Sequence, residues 1–260
     1  MNVNLPTILI YHDKDSKTFI GDLPSKLRKT FGSNTFRLAT SNRHNLASSI
    51  RTFDPSIIIL PEITGQESFY SRHINPELRQ QIKRFVSSGG MLVTNCASTY
   101  WMGAKILYHP PKQPTKIRSG THVFNAASIK MFGPVPGYWL PSTGKADGHD
   151  CRVIDITVKT QDGLKRDKVW YGNGPCILPL GSKSLPNNLE PLAYYTHENN
   201  SLIAAAHLKI DKGSILMSGP LPHYSEGLVK SNNMLWRVIS HRMHQQLFEK
   251  DIRPVLQRTP

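Results

Sequence analysis

The chain has 260 residues, 38% of them hydrophobic, and a net charge of +14. This length fits one large α/β domain or two small ones, and the composition is typical of a globular protein. No apolar run approaches the roughly 20 residues that cross a membrane as a helix. The three cysteines have no paired spacing, which predicts neither a disulfide framework nor structural zinc. We therefore expect a cytoplasmic protein without a signal peptide.

The positive charge is spread along the chain. Its densest stretches, residues 105–118 and 237–258, are not tight basic runs interleaved with aromatic residues. Such scattered charge is typical of a solvated surface. Nucleic-acid binding is therefore disfavoured, and an anionic protein partner stays open.

The first half of the chain alternates short apolar segments with helical patterns. Asn75 followed by Pro76 is a typical helix start, and this helical pattern ends at Gly89 and Gly90. Alternating strands and helices predict an α/β, doubly wound, mostly parallel sheet, in which sites form beyond the carboxyl ends of the strands. The predicted strands are 7–11, 35–40, 56–60 and 91–95, and the predicted helices are 22–31, 76–88 and 97–107.

After Tyr108 the pattern changes to short strands joined by proline- and glycine-rich turns. Turn signals at Asp162-Gly163 and at 211–213 predict two hairpins. A last helix is expected at 231–249. The sequence thus predicts a single domain over residues 1–250, with an antiparallel elaboration in its second half, and a C-terminal tail at 251–260.

Cys96 is the first candidate for chemistry. It lies between the predicted strand 91–95 and the predicted helix 97–107. A cysteine at such a turn has the position of a nucleophile elbow, and a helix N-terminus favours the reactive thiolate. The alternative is a cysteine that is simply buried at a turn, since cysteine is among the most buried residue types.

A cysteine nucleophile needs a base, and His223 is the best placed of the eleven histidines. It follows a predicted strand on a Gly/Pro-rich loop, and Glu226 is close enough in sequence to orient it. The backbone N–H of Ala97 and an N–H in the loop that begins at Glu62 would form the oxyanion hole. The alternative for His223 is an ordinary exposed histidine on a surface loop.

The segment that contains Asn173 and Gly174 is a glycine turn after a strand. It either lets a substrate approach the backbone or is a plain tight turn. His109, His122 and His149 have no metal-ligand spacing, and the segment from His12 to Asp15 is either a metal or substrate site or, as we favour, a polar loop before the next helix. Neither a phosphate-binding loop nor a dinucleotide fingerprint is present. We therefore expect no metal and no cofactor.

These segments, in order, resemble the N-terminal domain of eukaryotic-type biotin-protein ligases, which is similar to a class I glutamine amidotransferase. The resemblance implies a flavodoxin-like fold. The strand before the elbow, the elbow and the late Gly-Pro…His loop each match a family motif. The matching segments are 8–11, 57–61, 94–100, 132–139, 170–174 and 215–226.

The resemblance implies a nucleophile, a base and an orienting carboxylate that attack a small amide or acyl substrate through a thioester. The implied catalytic residues are Cys96, His223 and Glu226. The implied oxyanion and substrate contacts are Ala97, Glu62, Ile63, Tyr100, Asn173 and Gly174.

The sequence also departs from the family pattern. Thr94 and Ser98 replace the two elbow glycines, and Glu62 and Ile63 replace a Gly-Gly pair. An alternative is therefore a catalytically inactive binding or regulatory module with a basic surface. The chain has no Gly-Arg-Gly-rich adenylate loop, so we expect that it does not ligate biotin by itself.

Overall fold

The computed structural model describes most of the chain. The described residues are 5–13, 18–63, 70, 74–109, 118–121, 124, 126–139, 151–181, 184–196, 202–224, 229 and 233–256.

The described ranges contain fifteen strands. Strands β1 to β8 are Thr7–Tyr11, Thr18–Phe19, Arg37–Ser41, Ile57–Leu60, Glu62–Ile63, Met91–Asn95, Lys105–Tyr108 and Arg118–Thr121. Strands β9 to β15 are Ile129–Gly133, Arg152–Thr160, Gly163–Tyr171, Cys176–Pro179, Leu189–Tyr195, Ile203–Ile210 and Gly213–Ser218.

Five helices of at least four residues accompany these strands in the same ranges. Helices α1 to α5 are Leu23–Phe31, Leu46–Phe53, Pro76–Ser87, Ala97–Tyr100 and Met234–Leu256. Within the described part of the chain, none of them combines the length and the apolar character that a membrane crossing requires.

The first half of the sheet is parallel, in the order β3-β1-β4-β6-β15. All residues of β1, β4 and β6 are buried, because helices cover both faces of this part of the sheet. Helices α1 and α5 pack on one face through Leu27 and Leu235, and α2 and α3 on the other through Leu46 and Ile82. The predicted doubly wound α/β fold is therefore confirmed.

The second half of the sheet is antiparallel except between β9 and β7, which pair in parallel. Strand β15 joins the halves: it pairs in parallel with β6 and antiparallel with β14. The sheet continues from β14 through β12 to β9, and β7 and β8 follow at its edge. The long β10–β11 hairpin is attached through β13. This is the antiparallel elaboration that the turn pattern predicts.

Several boundaries differ from the prediction. The helix expected at 97–107 ends at Tyr100, and Lys105–Tyr108 is instead a strand. Gly103 breaks the helical run, and Ile106 and Leu107 pair with Met131 and Phe132 in β9. Sheet pairing thus replaces the predicted helix. In addition, helix α2 was not predicted, and α5 continues to Leu256.

Candidate active site

Cys96 occupies a strained turn between β6 and α4. Its backbone has φ 50° and ψ −108°, a region that non-glycine residues rarely adopt. The Cys96 N–H donates to the Ser218 carbonyl at 2.8 Å, and the Cys96 carbonyl accepts from Thr99 N–H at 3.1 Å. Hydrogen bonds on both sides therefore hold the turn, and strain that persists in this way is frequent at functional sites.

The residues that replace the family's elbow glycines fit this turn. The Ser98 hydroxyl accepts from Asn95 N–H at 2.8 Å and donates to the Leu60 carbonyl at 2.6 Å. The Thr94 and Thr99 hydroxyls lie 3.1 Å apart. All three hydroxyl side chains are buried and hydrogen-bonded, so the elbow forms without the glycines.

The Cys96 side chain is buried at this turn. It is 7% exposed, and its S–H donates to the Gly172 carbonyl at 3.2 Å. Burial raises the Cys96 pKa well above its usual range, and the Glu62 carboxylate and the Cys151 thiol raise it further. The hydrogen bond from the Ala97 N–H lowers this pKa, but by less. The net rise in pKa is opposite to the expected stabilisation of a thiolate by the helix, because α4 has only four residues and burial dominates.

His223 is fully buried on the loop after β15, not exposed on the surface. Its Nε2 lies 3.4 Å from Glu62 Oε1, an oxygen that also accepts from the Tyr224 hydroxyl at 2.6 Å. Within the described structure, the two ring nitrogens and Glu62 Oε2 have no hydrogen-bond partner. The carboxylate next to the imidazole therefore belongs to Glu62, and the predicted orienting residue, Glu226, lies outside the described residues.

Lys26 holds the main chain at His223. Its buried Nζ donates to the carbonyls of His223 at 2.7 Å and Pro222 at 3.1 Å, and it lies 4.9 Å from the centre of the Trp236 ring. Asn233 Nδ2 also donates to the Pro222 carbonyl, at 2.9 Å. Burial lowers the Lys26 pKa to about 8. Lys26 is not among the predicted site residues, although a lysine on the apolar face of a helix, next to Leu27, is the signal that could have indicated it.

The glycine turn after β11 contacts protein atoms. Asn173 has φ 63°, and its carbonyl accepts from the Tyr100 hydroxyl at 2.9 Å. A Cβ at Gly174 would lie 2.0 Å from the Gly219 carbonyl oxygen, so only glycine fits there. Tyr100, Asn173 and Gly174 thus fix the backbone on which the Cys96 sulfur rests.

The remaining predicted oxyanion residues have different positions. Ala97 contributes its backbone N–H to the Cys96 sulfur. Ile63 is 8% exposed, lies in β5 and packs in the hydrophobic core. Glu62 is close to both Cys96, whose pKa it raises, and His223. Within the described ranges, no group of three or more His, Cys, Asp or Glu side chains could hold a metal ion.

The fold and this site define a class of protein. A mostly parallel, flavodoxin-like sheet with Cys96 on a strained strand-to-helix turn at the carboxyl end of β6 defines a doubly wound α/β protein. The profile of the family "Biotin-protein ligase, N terminal" matches residues 7–255. The chain therefore belongs to the biotin-protein ligase N-terminal family.

Solved structures with a similar fold come from other proteins. Gan42B, a GH42 β-galactosidase from G. stearothermophilus, aligns with a TM-score of 0.52 and 11% identity over 94% of this chain and 30% of that chain. A glutamine amidotransferase aligns with a TM-score of 0.47 and 14% identity over 92% and 97% of the two chains. The present chain thus spans about a third of the β-galactosidase, and identity this low shows the fold alone. No curated protein matches the sequence.

Proposed function

We propose that this protein is a cysteine-dependent amidase or acyl transferase that acts on a small carboxamide or acyl substrate. Cys96 Sγ attacks the carbonyl carbon and forms a thioester, which water or an amine then resolves. The observation that carries the proposal is the strained, hydrogen-bonded Cys96 turn beside the buried His223–Glu62 pair. In the proposed site, Glu62 replaces Glu226 as the group that orients the base.

The proton transfers follow from the neutral thiol. Because burial and Glu62 keep Cys96 protonated, its proton leaves as the carbon–sulfur bond forms. His223 accepts this proton and returns it to the leaving nitrogen of the amide. The Glu62 carboxylate, 3.4 Å from Nε2, stabilises the imidazolium between the two transfers.

A second candidate function is a regulatory binding module with the same fold. It is favoured by the hydrogen bond of the Cys96 thiol, which goes to the Gly172 carbonyl and not to an imidazole nitrogen. In this case the net charge of +14 would serve an anionic protein partner in the cytoplasm. Capture of that partner would be strongly salt-dependent.

Turnover on a panel of small amides and acyl esters, glutamine included, tests the proposed enzyme. We expect C96S and H223Q to lower kcat/KM about a thousandfold. C176S is the matched control, because Cys176 is also a buried cysteine but its thiol donates to the Phe132 carbonyl. Mass spectrometry of the intact protein should detect an acyl group on Cys96.

Two outcomes would decide against the enzyme. Turnover that survives in C96S would exclude the thioester. If the folded wild-type protein turns over no member of the panel and captures a partner only at low salt, the binding module is the better function. Circular dichroism of each variant separates loss of chemistry from loss of fold.

A further inference from the structure

Gly172 lies between two cysteine sulfurs. The Cys96 thiol donates to the Gly172 carbonyl at 3.2 Å. A Cβ built on Gly172 would lie 2.9 Å from the sulfur of Cys151. With ordinary backbone dimensions, these two contacts place the sulfurs within roughly 9 Å of each other. The electrostatic influence of Cys151 on Cys96 agrees with this short separation.

The strand register explains this arrangement. Arg152 pairs with Tyr171 at the open end of the β10–β11 hairpin. Cys151 immediately precedes Arg152, and Gly172 immediately follows Tyr171, so the two residues lie just beyond the last pair of the hairpin, on opposite strands. Because glycine has no side chain, residue 172 places only its backbone between the two thiols.

The three cysteines differ in exposure. Cys151 is partly exposed, whereas Cys96 and Cys176 are buried. The Cys176 thiol is engaged with the Phe132 carbonyl at 3.3 Å, in a different part of the sheet. A dissolved oxidant therefore reaches Cys151 first, and the neighbouring thiol that it can pair with is Cys96.

We propose that Cys151 is an oxidative modification site that forms a disulfide with Cys96. A hydroperoxide transfers one oxygen atom to the Cys151 thiol, which gives a sulfenic acid and an alcohol or water. The Cys96 sulfur then attacks the Cys151 sulfur, the S–S bond forms, and the hydroxyl leaves with the thiol proton as water. A dithiol reverses the reaction by thiol–disulfide exchange.

The disulfide requires the two sulfurs to approach from at most roughly 9 Å to the S–S bond length of about 2 Å. Rotation about χ1 of each side chain is the first movement that changes this distance. Cys151 is at the end of the hairpin, where strand pairs open most easily. In the disulfide, the Cys96 sulfur is no longer a thiol and is not available as the nucleophile of the proposed site. Its formation does not depend on the proposed catalytic function, so the two proposals fail separately.

Peptide mapping after treatment with hydrogen peroxide tests the modification. Tryptic cleavage places the cysteines on separate peptides, 85–105, 146–152 and 169–183. We expect the native protein to yield the linked pair 85–105 and 146–152, to lose two of its three thiols, and to recover both with dithiothreitol. Cys176 should remain alkylatable after denaturation.

Two variants make the test specific. G172A keeps both cysteines but inserts a methyl group 2.9 Å from the Cys151 sulfur, and it should slow the linkage about tenfold. C176S should form the linked pair as fast as the wild type. A linkage through Cys176, a disulfide found only between molecules on a non-reducing gel, or oxidation of Cys151 to a sulfonic acid without linkage would each overturn the proposal.

Discussion

The two halves of the sheet contribute differently to the site. The parallel half provides the nucleophile, Cys96, at the end of the buried strand β6. The carboxylate of Glu62 follows the parallel strand β4 and lies in β5, which forms a separate two-stranded sheet with β2. The groups that these side chains meet come from the antiparallel half, which provides the Gly172 carbonyl, and from the end of the joining strand β15, which provides the Ser218 carbonyl and is followed by His223. The site therefore exists only where β6 and β15 lie side by side.

The difference teaches how such a site is built. In the parallel half, burial on both faces fixes each strand, and the turn after a strand follows from local sequence. In the antiparallel half, register and close backbone approach decide which atoms reach Cys96. Substitutions in the two halves should therefore have different consequences.

The largest effect is expected from G174A, which should disrupt the close backbone contact between the turn after β11 and Gly219, the residue after β15. The new Cβ would lie 2.0 Å from the Gly219 carbonyl oxygen, a backbone atom that cannot rotate away. We expect a loss of about 3 to 5 kcal/mol in the free energy of unfolding, measured by urea denaturation.

G181A is the control for this change. Gly181 has φ 71°, and among the described residues no atom beyond its chain neighbours lies within 4 Å of its hypothetical Cβ, so alanine should cost only about 1 kcal/mol. Equal losses in the two variants would show that the close approach at Gly174 has no special role.

An intermediate loss of stability is expected when the pH falls, and it should originate in the antiparallel half of the sheet. Burial lowers the pKa of His207 in β14 to about 4, and Arg242 lowers it further than Glu190 restores it. His207 is therefore protonated near pH 6.5 in the unfolded chain but only near pH 4 in the folded protein. The free energy of unfolding should fall by about 3 kcal/mol as the pH drops through this window.

H207L checks the origin of this acid sensitivity. Denaturation of the variant and the wild type at several pH values between 7 and 4 gives the difference in unfolding free energy. That difference should change across the window if His207 is responsible. Parallel pH curves would assign the acid loss to other groups.

The smallest effect is expected from E62Q, which removes the carboxylate charge near Cys96 and His223. Removal of the carboxylate charge lowers the pKa of Cys96, so alkylation of Cys96 at neutral pH should become faster, roughly threefold to tenfold. Turnover should nevertheless fall, because the His223 imidazolium loses its partner.

E190Q is the matched control, since Glu190 binds Arg242 in the antiparallel half. Peptide-level mass spectrometry follows the alkylation of each cysteine separately. If alkylation of Cys96 slows in E62Q, Glu62 does not act on the thiol as we infer.

The sequence predicted most of the fold but only part of the site. The strands that form the parallel half are local features and were predicted correctly. The same holds for the helix cap at Asn75, whose side chain accepts from Leu78 N–H at 2.8 Å. The family resemblance is confirmed as well. The helix predicted at 97–107 is wrong beyond Tyr100, because pairing with β9 outweighs helical propensity.

The sequence by itself determined the layered α/β architecture, the family and the turn that carries Cys96, because burial periodicity and turn residues act over a few positions. The tertiary structure decided the protonation of that thiol, the approach of Glu62 to His223, and the hold of Lys26 on the His223 loop. These three features depend on distances between residues 26, 62, 96 and 223, which are far apart in the chain, so the sequence around each residue does not show which of the others it meets.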